Sequence, residues 1–246
     1  MASSVQLQIY TPEMDKQYLK HQIASFHNAF YEKLIPSYEN LDSQIDIYAD
    51  QKVTRLLESW PASEDDDPST VYEMAHDAAI EYGFSLSHAR YLLIASSIIG
   101  TFHLWEQQLR QHVFKELSAD AKIQLGNVPD KFSDLAVLLG DFGFSVVDYG
   151  FYSDIHLYNL LVNVLKHGDG RSATQLRQIS PHYFANPEML SLTESPTQSY
   201  PLRNTLMDEQ LQIGSDEPSQ LVSSILAFWD ALPERLYLTV NIEEHK

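Results

Sequence analysis

His156 to Arg171, HLYNLLVNVLKHGDGR, is the stretch whose reading decides the fold. At about 100° per residue it forms a two-faced helix. Leu157, Leu160, Leu161 and Val164 fall on one side, with Leu165 at the edge. His156, Asn159, Asn163, Lys166 and His167 gather on another, within roughly a quarter turn. Gly168 suits the left-handed cap that stops a helix. Gly170 frees the chain to turn, and Ser172 with Gln175 reads as the capping box of the next helix. No other stretch concentrates polar groups able to do chemistry.

Upstream, apolar residues recur at helical spacing. Thr11-Pro12-Glu13 reads as a helix start. Leu19, Ile23, Phe26, Phe30 and Leu34 form its stripe, and Pro36 stops it. A second helix carries Leu41, Ile45, Tyr48, Val53, Leu56 and Trp60 and ends at Pro61. The short link between the two implies an antiparallel pair. Ala62 to Ser69 is a charged loop. Thr70 with Glu73 opens a short helix to about Tyr82, which Gly83 breaks. Ser85 or Ser87 then caps the longest helix, about His88 to Leu117. Its first half is apolar nearly all round, as the centre of a bundle requires. Glu106 and Arg110 sit one turn apart on its second half and could pair. After a loop at Gly126 and Pro129, a short helix spans Phe132 to Leu139. The central helix follows from about Phe151.

Downstream, Ser172 to Ile179 is helical and Ser180 to Tyr200 is a long surface loop. Leu202 to Ile213 suggests a small β-hairpin. Asp216 to Leu232 is a last helix, with Leu221, Ile225, Phe228, Trp229 and Leu232 on its inner stripe, ended by Pro233. The expected fold is mainly α, a helical bundle with a small β-hairpin near the C-terminus. One domain covers residues 1–246, with its core at about 70–180 and a loop, hairpin and helix over 181–246.

Composition narrows the function. The 246 residues, 44% of them hydrophobic, suffice for a substantial core. There is no cysteine, which removes disulfides, thiolate nucleophiles and cysteine-bound zinc, and fits a reducing cytosol. The N-terminus lacks a basic stretch followed by an apolar one, so no signal peptide is expected. Tyr91 to Trp105 is uncharged but shorter than the ~20 residues that cross a bilayer. A membrane is therefore not an expected partner. The net charge of −18 opposes general nucleic-acid binding and suits a basic protein partner. A local basic patch would have to work against that field.

Three readings compete for Asn163, Lys166 and His167. The first is structural, since cations in the last turn of a helix complement its dipole and its free carbonyls. The second is a metal site from Asp154, His156, His167 and Asp169. At ~1.5 Å rise per residue these pairs stand more than about 15 Å apart, so one ion cannot join them. The third is acid–base chemistry on RNA, in which an imidazole moves protons and a neighbouring cation steadies the phosphate. It requires no metal or other cofactor.

Val162-Asn163-Val164-Leu165-Lys166-His167 resembles the arginine-asparagine-three-residues-histidine signature of HEPN domains. These are all-helical domains of bacterial toxins, phage-defence proteins and CRISPR-associated ribonucleases. The wider stretch NVLKHGDGRSATQL, with FWDALP downstream and Trp105-Glu106 on the long helix, is similar to a group of bacterial HEPN-like proteins. The resemblance covers roughly Ser85 to Leu232. It implies a cytoplasmic, metal-independent endoribonuclease of a defence or toxin–antitoxin system. His167 would be the general acid/base, Asn163 an orienting group and Lys166 the phosphate cation, with Glu106, Arg110 and Arg171 in support. It also implies a homodimer with two signature helices facing each other. The chain departs from the signature at Val162, where the family carries an arginine that binds the scissile phosphate. Lys166, Arg171 or Arg110 would have to replace it. Without a replacement, the resemblance implies a catalytically inactive dimerisation or protein-interaction module.

Overall fold

The computed structural model describes residues 3–59, 69–120, 124–184 and 211–242. The fold is mainly α with one small two-stranded antiparallel sheet. Strand β1 covers Ser3–Tyr10 and helix α1 Glu13–Ala29. A π-turn at Phe30–Leu34 and a 3-10 turn at Ile35–Tyr38 lead to α2, Leu41–Ser59. Helix α3 runs unbroken from Ser69 to Asp120. Helix α4 spans Phe132–Asp141, α5 Phe151–His167 and α6 Arg171–Ile179. Helix α7 spans Glu217–Ala231, and β2 (Arg235–Ile242) is the last described element.

Helix α3 is the axis of the molecule. Its 52 residues reach about 78 Å at ~1.5 Å per residue. The first half carries α2 alongside it; the second is packed by α1, α5, α7 and β1. Ile98, Phe102, Trp105, Leu109 and Val113 recur every three or four residues on the buried face. They meet Leu135 and Leu139 of α4, Ile155, Leu161, Val164 and Leu165 of α5, and the expected stripe of α7. Phe228 of α7 sits edge-on to Trp105 at 5.2 Å and to Phe151 at 5.9 Å, the geometry that ring quadrupoles favour.

The helices differ from the sequence expectations at several places. Gly83 does not break α3. A Cβ there would come within 2.8 Å of Ile45 Cδ1, so the bare glycine lets α2 lie close. A mid-helix glycine costs roughly 1 kcal/mol relative to alanine, and α3 continues through it. Ser85, expected as a cap, returns its hydroxyl to the Glu81 carbonyl inside the helix at 2.9 Å. Helix α2 packs on α3 and not on α1, with Tyr48 stacked on Tyr82 at 4.3 Å between ring centres. Ser172 caps nothing, because α6 starts one residue earlier and its N-cap is Gly170.

The β element joins the two ends of the described chain. Val5 pairs with Val240, Leu7 with Leu238 and Ile9 with Leu236, so the apolar residues of each strand alternate with its polar ones. Strand β2 lies near the C-terminus, as a small β element was expected to, but its partner is N-terminal. Of the hairpin stretch Leu202–Ile213, residues 202–210 lie outside the described residues, and 211–213 form no strand. Trp60, Pro61, the charged loop at 62–68 and the 185–200 part of the long loop lie outside them too. Among the described residues, no helix is long and apolar enough to cross a membrane.

Candidate functional site

Helix α5 keeps the bounds that its periodicity implies. Leu160, Leu161, Val164 and Leu165 are buried, together with Ile155 and Tyr158. That ridge fixes the roll of the helix and turns Asn159, Asn163, Lys166 and His167 the other way. The helix ends on Gly168, whose φ of 73° and ψ of −141° suit a residue without Cβ. The Gly168 N–H donates to the Val164 carbonyl at 2.8 Å, which closes the last turn directly behind Lys166 and His167.

Lys166 and His167 are exposed. They line a cleft of about 690 Å³ between the polar faces of α3 and α5. Helix α3 contributes His103, Glu106, Gln107 and Arg110, spaced i, i+3, i+4, i+7 on one face. Helix α5 contributes Asn159, Val162, Asn163, Lys166 and His167. The loop before α4 brings Asp130 and Lys131, and the α5–α6 turn brings Asp169 and Arg171. The site residues expected from sequence, His167, Asn163, Lys166, Glu106, Arg110 and Arg171, thus all meet in one cleft.

Glu106 and Arg110 meet there without pairing; no ion pair joins them among the described residues. Both hold the loop before α4. Glu106 accepts the Phe132 N–H at 2.7 Å, and Arg110 donates to the carbonyls of Leu125 and Val128 at 3.2 and 3.4 Å. Burial pushes the Glu106 carboxyl above its ordinary value; the Phe132 N–H, His103 and Lys166 pull it back, and Asp130 adds to the rise. Glu106 therefore lies within electrostatic reach of both His103 on its own helix and Lys166 on the opposite wall.

The acids of the cleft are largely engaged. Asp169 pairs with Arg177 at 2.8 Å, and Arg177 lies 4.5 Å from the centre of the Phe184 ring. Lys131, Lys166 and Arg171 have no ion-pair partner among the described residues. A protein of net charge −18 thus has a cleft lined by four cations against three carboxylates, two of the latter already bonded. Asn163 donates its amide N–H to the Asn159 carbonyl at 2.9 Å, which anchors the side chain along the helix.

Val162 is buried in the cleft wall. Arg110 and Arg171 supply guanidinium groups to the same cleft from other elements. Two of the residues considered for a metal have other partners: Asp154 accepts the Ser224 hydroxyl at 3.2 Å, and Asp169 is bound to Arg177. Among the described residues, no three histidine, aspartate or glutamate side chains come together as a metal site. Sequence reasoning missed His103 and Lys131. The signal for His103 was present, since it lies three and seven residues before Glu106 and Arg110 and so shares their helical face. Lys131 carried none, because its place depends on how the Glu106 carboxylate ties the loop. Comparison with known proteins brings no relative: no family model, curated protein or solved structure matches the chain.

Proposed function

We propose that the cleft between α3 and α5 binds the phosphodiester backbone of single-stranded RNA and cleaves it without a metal. The observation that carries this is the convergence of Lys131, Lys166, Arg171 and His167 on one cleft of an otherwise strongly acidic chain. A cation cluster kept against such a field favours an anionic ligand. In this reading His167 moves protons as general acid or base, Asn163 orients the ribose or the imidazole, and Lys166 steadies the phosphate charge. Arg171 takes the place of the arginine that Val162 lacks, while Glu106 and Arg110 hold the wall. By resemblance, the setting would be a HEPN-like defence or toxin–antitoxin protein of the bacterial cytoplasm, acting as a homodimer. The chemistry of the cleft does not depend on the dimer, which sedimentation reads separately.

The direct test incubates the purified chain with total RNA in excess chelator. Wild type is expected to cleave, and His167→Ala to lose about 10²- to 10⁴-fold in rate, the usual worth of a positioned acid–base group. Equal cleavage by both would remove His167 from the chemistry. One observation favours a second reading, a binding module without catalysis: Val162 fills the wall where the signature arginine would reach the phosphate. That reading expects a stable complex with a basic protein partner, unaffected by His167→Ala, and no cleavage at all.

A further inference from the structure

Cleavage of RNA by its own 2′-hydroxyl needs two proton transfers on opposite sides of phosphorus. A base takes the 2′-OH proton as the 2′-O–P bond forms. An acid gives a proton to the 5′-oxygen as the P–O5′ bond breaks, leaving a 2′,3′-cyclic phosphate and a 5′-hydroxyl. The group that forms the new bond and the group that leaves stand apart, so a single imidazole at the end of α5 cannot serve both at once.

The opposite wall holds a second imidazole. His103 is exposed on the polar face of α3 and lines the same cleft as His167. Lys131, Lys166 and Arg171, the cations that would meet a phosphate, line the same cleft as the two imidazoles. Resting on the ribonuclease reading above, we propose that His103 is the second proton-transfer residue, so that one chain carries a complete acid–base pair, His103 on α3 and His167 on α5. The partner copy then contributes neither histidine.

The charged surroundings are compatible with this role. From α3, Glu106 and Arg110 face the cleft; from the loop before α4, Asp130 and Lys131; from α5, Lys166; from the α5–α6 turn, Asp169 and Arg171. Asp169 is taken by Arg177, and Glu106 is bonded to the Phe132 N–H. Glu106 is the rival proton carrier, because its burial favours the protonated form. Imidazole is the side chain that serves as acid and base alike near neutrality.

The test measures kcat/KM against pH for a short single-stranded RNA in chelator, using the full chain. Wild type is expected to give a bell. His103→Ala and His167→Ala are each expected to lose at least about 100-fold and one limb of the bell, and the double variant to be little worse than the poorer single one. An RNA with sulfur in place of the leaving 5′-oxygen needs no acid at that position. It is expected to restore one of the two histidine variants and not the other. His156→Ala, exposed on α5 outside the cleft, is expected to match wild type. If His103→Ala keeps the wild-type rate and bell while His167→Ala is inactive, the pair is wrong and the ribonuclease reading survives. The pair is equally wrong if the missing limb follows Glu106→Gln. If wild type cleaves nothing, both proposals fall.

Discussion

Gly168 shows what a single residue does for this cleft. Its φ of 73° with ψ of −141° lies where side chains with a Cβ are strained. Replacing it with alanine is expected to lower the unfolding free energy by about 1–3 kcal/mol. Urea denaturation reads that loss, and an unchanged midpoint would mean that the α5 terminus can be rebuilt without glycine. The glycine stop was legible in the sequence, because a helix-length apolar stripe ended at Leu165, within a turn of it. The grouping of Asn163, Lys166 and His167 was legible for the same reason. Their relation to His103 was not. Helical spacing says which residues share a face of one helix, but not which face of another helix it will meet. The pairing of Glu106 with Arg110 was expected from spacing alone, and the loop before α4 takes both side chains instead.

At the scale of the element, α3 is the instructive case. Its sequence reads as two helices because Gly83 and the serines after it are weak helix formers and good stops. Packing overrides them. A Cβ at Gly83 would meet Ile45 Cδ1 of α2 at 2.8 Å, so the glycine lies inside a continuous helix at a point where α2 comes close. The distinction is testable. Gly83→Leu is expected to push α2 off α3 and speed amide exchange along Leu41–Ser59, while α5 stays protected. Unchanged exchange in α2 would show that the close approach is not what holds the pair. A different device secures α5. The hydroxyls of Tyr158 on α5 and Tyr183 after α6 both donate to the buried Glu217 carboxylate at the start of α7, at 2.8 and 2.9 Å. Burial and that carboxylate raise both phenols far above their ordinary value, so they remain donors at any working pH. This clasp joins three elements distant in sequence, and no local pattern announces it.

At the scale of the whole molecule, the two ends of the described chain meet on α3. The β1–β2 ladder leads directly into Thr11, whose N–H donates to the Glu234 carbonyl at 2.8 Å and whose hydroxyl meets His112 Nε2 at 2.8 Å. Lys16, also buried, donates its ammonium to the Leu232 carbonyl. The alternation of Val5, Leu7 and Ile9 between glutamines was a readable strand signal; its partner, more than 220 residues away by register, was not. This junction carries a pH dependence. Burial lowers His112, with Lys115 in the same direction and Glu116 and Asp15 opposing; away from the junction, at the other end of α1, burial also lowers His27. Above the ordinary histidine value of about 6.5, both folded and unfolded chains hold these rings neutral. As pH falls through that value, the unfolded chain takes up protons that the folded chain refuses, so stability is lost toward acid. For one ring the loss is at most about 1.4 kcal/mol per pH unit. Relief of the −18 charge works the other way, so the informative quantity is a difference. Between pH 7.5 and 5.5, wild type is expected to lose more stability than His112→Gln; equal losses would mean that His112 protonates as freely folded as unfolded.

The central claim is a cationic cleft that holds a phosphate strand against the charge of the whole protein, and binding tests this more directly than turnover. Fluorescence anisotropy of a labelled single-stranded RNA, with the His167→Ala protein at several salt concentrations, reads it. The expected result is binding that weakens with salt, and a salt slope about 0.7 shallower in Arg171→Glu for each phosphate that the guanidinium no longer neutralises. RNA that fails to bind at low salt, or that binds equally well after Arg171→Glu, would contradict it.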